Sequence, residues 1–150
     1  MVVPFQEKTA VVLPRNLVEY VLPYATPLPS AYEHEALVGS ILYQNEKVPV
    51  LDLQLVYNNG ENGPSVDSGH RRLVVLSCVS LHTEFSSYAI IADDAPRLFN
   101  TTPDNLQEVD KVAKSPFYSY IKLDKQPQEL VTVDLEALEA LIFADYLVKG

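Results

Sequence analysis

A chain of 150 residues has the length of one ordinary domain, and 47% hydrophobic against 21% charged residues is enough apolar material to bury a continuous core. With 11 Lys and Arg against 20 Asp and Glu, the net charge of −9 repels polyanions and argues against nucleic acid or an anionic membrane surface as a partner. A lone cysteine, Cys78, allows neither an internal disulfide nor an all-cysteine metal site.

No apolar run approaches the roughly 18 residues needed to cross a bilayer. The opening Met1 to Glu7 lacks a basic stretch followed by a long apolar one, so the expected location is the cytoplasm. Eleven prolines and five glycines punctuate short β-branched segments, a pattern that predicts an all-β barrel or sandwich rather than alternating βαβ units. The first predicted strand is Lys8 to Leu13, stopped by Pro14. Asn16 to Leu22 fits either a helical turn or a strand, and Pro27 to Glu35 reads as an irregular connection.

Leu37 to Tyr43 and Lys47 to Leu53, joined by the polar Gln44-Asn45-Glu46, predict a hairpin. Pro49 cannot donate a ladder hydrogen bond, which places the second strand at an edge or at a bulge. Gly39 in the first strand points to close packing or a bulge. The polar, glycine-bearing stretch at about 58–70 predicts a flexible surface loop.

Arg72 to Val79 reads as a strand buried on both faces, pairing with Tyr88 to Ala92 across a turn at 81–87. Asp93-Asp94-Ala95-Pro96 breaks the pattern, Leu98-Phe99 resumes it, and Thr101 to Lys114 reads as a polar connection. Phe117 to Leu123 and Glu129 to Val133 predict a hairpin turned by residues 124–127. The last element is a helix capped by Asp134, with Leu135, Leu138, Leu141 and Ile142 at helical spacing and Glu136 and Glu139 near its positive end. The expected organisation is a single domain over 1–150.

Candidate chemistry is sparse. His34, His70 and His82 have no partner at ligand spacing, so neither a metal nor a cofactor is expected. Asp52 and Asp93-Asp94 stand at strand ends, where carboxylates serve acid-base work or accept backbone amides in the following turn. Cys78 lies in a core strand, where a thiol is an inert small hydrophobe. Nine tyrosines without a tryptophan fit a recognition surface or a barrel cover. No phosphate-cradling glycine loop or nucleophile elbow occurs.

The run Leu37-Val38-Gly39-Ser40-Ile41-Leu42-Tyr43-Gln44-Asn45-Glu46-Lys47-Val48-Pro49-Val50-Leu51-Asp52-Leu53 resembles the centre of the CheW-like family: a leucine- or isoleucine-glycine strand, a turn, and a proline-valine-x-aspartate-leucine strand. Val12-Leu13-Pro14 with Val18-Glu19-Tyr20-Val21 resembles the family's opening, and Leu28-Pro29 precedes the central motif at a similar distance. Tyr88 to Asp93 resembles a later strand, and Leu130 to Leu135 the closing strand and helix, so the likeness spans nearly the whole chain.

The resemblance implies two small five-stranded SH3-like barrels sharing a core, followed by a C-terminal helix. It also implies a non-enzymatic adaptor that couples chemoreceptor tips to a histidine kinase of the CheA type. Its motif residues are Gly39, Pro49, Asp52, Leu53, Asp93 and Asp134. The family's central turn usually carries an arginine that supports partner binding. Tyr43-Gln44-Asn45-Glu46 stands there instead, which points to a divergent relative such as an accessory adaptor of a pilus-motility chemosensory system.

The expected partner-binding residues are Val38, Ile41, Tyr43, Val48 and Val50 on the hairpin, although strict alternation sends some of these side chains inward. Two rival readings remain open. A ligand-binding or enzymatic barrel requires Asp52, Asp93 or Cys78 to converge on a pocket, and a self-assembling module requires an edge that accepts its own copy.

Overall fold

The computed structural model describes residues 1–6, 9–28, 36–57, 71–79, 86–97, 107–108, 118–122 and 129–149. The loop expected at 58–70, the three histidines, Leu98-Phe99 and the turn at 124–127 lie outside these residues.

Two five-stranded sheets and a C-terminal helix make up the described fold. In spatial order the first sheet contains β1 (Val2–Gln6), β2 (Thr9–Val12), β10 (Glu129–Val133), β9 (Tyr118–Lys122) and β8 (Gln107–Glu108). The second contains β3 (Val18–Pro23), β6 (Arg72–Ser77), β7 (Ser87–Ala92), β5 (Glu46–Leu51) and β4 (Leu37–Tyr43). A short helix, α1 (Leu53–Tyr57), follows β5, and α2 (Leu135–Lys149) closes the order. This is the expected all-β class with a C-terminal helix.

Side-chain alternation along the strands explains why so many of them lack polar positions. In β6, Val74 and Leu76 enter a large core shared by both sheets, while Leu73 and Val75 enter a smaller core belonging to the second sheet. Its neighbour β7 divides in the same way, with Tyr88, Ile90 and Ala92 in the shared core and Ala89 in the smaller one. In the first sheet, Val3, Phe5, Val11 and Val131 face the shared core, and Val2, Ala10 and Leu130 face a third cluster. Both faces of these strands are dry, so a period-2 polar pattern is absent.

The second sheet curls until its two ends meet. Leu28, beyond the end of β3, exchanges both main-chain hydrogen bonds with Ser40 of β4, at 2.7 and 3.0 Å. Gly39 makes this approach possible. Its φ is +152°, and a Cβ there would run into the Leu28 carbonyl and stand 2.9 Å from Pro27 Cβ. The same glycine adjoins a bulge in the β4–β5 ladder between Leu37 and Gly39, so close packing and a bulge coincide.

Pro49 is accommodated differently from the sequence-based expectation. The strand β5 is internal, lying between β7 and β4, and the irregularity of this pair is on β4. Ser40, opposite Pro49, spends its N–H and C=O on Leu28, so the Ser40–Pro49 pair is non-hydrogen-bonded and needs no donor from the proline. On the other side, parallel pairing with β7 begins only at Val50.

Several elements lie outside the expectations. Val2–Gln6 forms β1, pairing with β2 through Val3–Val11 and its neighbours, with a bulge between Pro4 and Gln6. The short β8 falls within the expected polar connection, whereas Asn16 to Leu22, readable as a helical turn or a strand, holds both, in a 3-10 turn at Arg15–Leu17 and the strand β3. The strand from Arg72 ends at Ser77 rather than Val79.

The terminal helix is capped as its sequence requires: the amide of Ala137 donates to Asp134 Oδ1 at 3.1 Å. Leu138 and Ile142 enter the shared core, with Leu135, Leu141 and Phe143 packed against it. Glu139 is no exposed acid near a helix start. It is fully buried, and its Oε2 accepts the amide of Val79 at 2.7 Å, tying α2 to the end of β6.

Replacing Gly39 with alanine is expected to lower stability by about 1–3 kcal/mol, because any Cβ at this φ must push the Leu28 strap away. A urea titration of Gly39→Ala against wild type measures the loss, and an unchanged midpoint would show that the strap does not depend on the glycine.

Candidate functional site

The hairpin β4–β5 is built from its turn outward. Gln44 and Asn45 have φ of 51° and 64°, the pair of left-handed conformations of a type I′ turn, which matches the twist of the flanking strands. Tyr43 and Glu46 close that turn, so the next pair, Leu42–Lys47, is non-hydrogen-bonded and turns the main chain of Leu42 away from β5. Leu42 and Ser40 therefore share the outward direction in which Leu28 is bound.

Alternation sorts the expected docking residues. Ile41, Val48 and Val50 are buried in the second sheet's core, with Tyr43 half-exposed against it. The assignment of Val48 and Val50 as contact residues is corrected accordingly, because burial leaves them nothing to present to a partner, and Ile41 reaches only the wall of a cleft. Val38 is exposed at 37%.

Beside the hairpin the larger outward groups are two not among the expected contact residues, Leu42 at 70% and Leu28 at 55%, while Tyr20 is exposed on β3. Leu42 and Leu28 flank a cleft of about 450 Å³ between the strap and β4, lined also by Leu22, Tyr24, Ile41 and Leu73 and by no charged side chain. Phase counting from the turn would have found Leu42, since it is one residue out of step with Ile41. Leu28 carries no such local signal, because its position depends on a partner strand 12 residues away.

Charge gathers at the rim. Lys47 is exposed and sits across the ladder from Leu42, on the same face. The Arg71 guanidinium lies over the ring of Tyr24, 5.7 Å from its centroid.

The motif aspartates take structural positions. Asp52 Oδ1 accepts the amide of Gln54 at 3.0 Å at the start of α1, and the Asp52 amide donates to the Ala36 carbonyl. Burial raises the Asp52 carboxyl above its ordinary range, opposed by the Gln54 amide and by Arg71. Leu53 is buried in the shared core. Asp93 is buried at the end of β7, where its amide donates to the Pro4 carbonyl at 2.8 Å. Burial pushes its carboxyl up to about 6, against the pull of Arg71 and with help from Asp52 and Asp94.

Cys78 lies in different surroundings. Burial and the carboxylates of Glu139 and Glu19 push its thiol up to about 12, which leaves it protonated and unreactive at neutral pH. Burial and Glu139 likewise raise the Tyr88 hydroxyl. The exposed Glu19 accepts hydroxyls from Ser77 and Ser87, both at 2.9 Å, joining three neighbouring strands.

Neither Asp52, Asp93 nor Cys78 lines this cleft or the second one, of about 480 Å³, bordered by Leu13, Arg15, Thr132 and Leu135. Asp52 and Asp93 influence each other beside Arg71, away from both clefts, while Cys78 is surrounded instead by Glu139 and Glu19. Among the described residues no group of three or more His, Cys, Asp or Glu is arranged to hold a metal, and no helix is long and apolar enough to cross a membrane.

No family model matches the sequence, and no curated protein matches it. The fold is similar to that of a solved structure, the scaffolding protein TtCheW from Thermoanaerobacter tengcongensis. The TM-score is 0.67 at 15% identity, over 89% of this chain and 83% of that one. The chain therefore has a CheW-like fold.

The raised carboxyl of Asp93 fixes the sign of one pH effect. With a folded value near 6 above an ordinary 3.8, the stabilisation from its protonated form is complete below pH 3.8 and is lost as pH rises through 6. Asp93→Asn is expected to gain stability relative to wild type as pH rises from 4 to 7. Thermal melts at both pH values test this, and a constant difference between the two proteins would remove Asp93 from the titration.

Proposed function

We propose that this protein is a non-enzymatic adaptor of chemosensory signalling that acts in the cytoplasm and binds a histidine kinase of the CheA type and chemoreceptor tips. The observation that carries the reading is the apolar face at the closing edge of the second sheet, where Leu28 and Leu42 stand more than half exposed beside an uncharged cleft. Side chains of that size are left in water at a cost that a docked partner removes. The CheW-like fold supports a role in holding other proteins together, since the similar structure is that of a scaffolding protein.

The central turn supports a divergent member. Gln44-Asn45 closes the hairpin tightly and offers no arginine fork to a partner's carboxylate. Apolar contact beside the turn then carries the binding. Self-association is disfavoured by the net charge of −9 on each copy.

Immobilised protein is expected to recover a histidine kinase or a chemoreceptor from lysate of its native bacterium, identified by mass spectrometry. A Leu28→Asp/Leu42→Asp double variant, charged at two exposed positions, is expected to recover at least about tenfold less, a loss of about 1.4 kcal/mol or more. Recovery of neither partner class by the intact protein would overturn the adaptor reading.

A further inference from the structure

The strap and β4 already show how this edge binds extended chain. Leu28 takes up the outward N–H and C=O of Ser40 in an antiparallel exchange at 2.7 and 3.0 Å. Two residues on, Leu42 presents the next outward pair. The strap has diverged by then, and among the described residues no main-chain partner reaches Leu42. Among the described residues, an N–H and C=O without a main-chain partner, a side chain that is 70% exposed and an adjoining apolar cleft coincide at Leu42.

The surrounding charge selects what fits. Leu42 and Lys47 are a directly opposed pair, so the ammonium group is within reach of whatever lies along Leu42. Glu46, one residue earlier, falls on the opposite face by alternation. Arg71 lies over Tyr24 and shares its charge with Asp52 and Asp93, so among the described residues Lys47 sets the sign beside Leu42. A second copy of this chain is a poor occupant, because two bodies of charge −9 repel.

We propose that the open stretch of β4 at Leu42 receives an extended apolar segment of a partner protein, paired to the main chain of Leu42 and carrying a carboxylate that meets Lys47. The segment continues the exchange that Leu28 begins, its apolar residue covers Leu42 and the cleft mouth, and its acid neutralises the cation at the rim. The proposal rests on the adaptor reading of this face and adds the chemistry of what docks there.

Three labelled peptides test it by fluorescence anisotropy: Asp-Val-Leu-Val-Asp, its lysine-flanked counterpart Lys-Val-Leu-Val-Lys, and the acidic peptide N-methylated at its central leucine. The acidic peptide is expected to bind about tenfold more tightly than the basic one, and N-methylation to weaken it several-fold by removing a main-chain donor. Lys47→Glu is expected to reverse the order of the two charged peptides, and Leu42→Asp to remove binding of the acidic one while the circular dichroism spectrum stays that of wild type.

Equal binding of acidic and basic peptides, indifference to N-methylation, or no binding by any of them would each overturn the proposal. Selective peptide binding without recovery of a kinase or receptor would keep the edge site and remove the adaptor assignment. Recovery of a kinase or receptor with no peptide selectivity would do the reverse.

Discussion

The outer edge of β1 is the constraint on which the rest of the molecule depends. One side of this strand pairs with β2. The other receives groups from beyond its own sheet: the amide of Asp93 on the Pro4 carbonyl, the side-chain amide of Gln54 on the Phe5 carbonyl at 2.9 Å, and a two-bond exchange between Val2 and Arg97. Asp93 follows the end of β7, and Gln54 follows β5, so β1 is where the second sheet is fastened to the first. The apolar counterpart of this seam is the shared core, in which Val3 and Phe5 meet Leu51, Leu53, Ile90 and Ala92. Main-chain donors and acceptors buried at such a seam are costly unless paired, and this arrangement pairs them.

That strand was also the least legible in the sequence. Val2 to Gln6 is short and contains Pro4, and its outer partners come from residues about 50 and 90 positions away. By contrast the central hairpin, the pairing of Arg72–Ser77 with Ser87–Ala92 and the capped terminal helix were all readable, because turn chemistry, uninterrupted apolar runs and helical spacing are local signals. Pro49 misled for an instructive reason. A proline excludes a donor at one position, and whether that position needs a donor is decided by the strand opposite, here by Ser40 having turned to Leu28.

The candidate site shows the same division. The strands β4 and β5 pair as the hairpin that the sequence predicts, but the individual side chains could not be assigned to a face until the turn type and the bulge beside Gly39 were known. A one-residue change of phase exchanges Ile41 for Leu42. Glu139 illustrates a different limit. Its place near the positive end of α2 was readable, but its burial and its bond to the Val79 amide depend on tertiary position.

The parallel pairing of β2 with β10 joins residues 9–11 to residues 129–131. During synthesis the N-terminal hairpin emerges long before its neighbour exists, so the first sheet stays incomplete until most of the chain has left the ribosome. At about 5–20 residues per second that is an interval of many seconds, during which β2 exposes an unpaired apolar edge. Closure of the first sheet is thus tied to the far end of the sequence, and the hairpin β1–β2 alone holds only part of the surface that β2 buries.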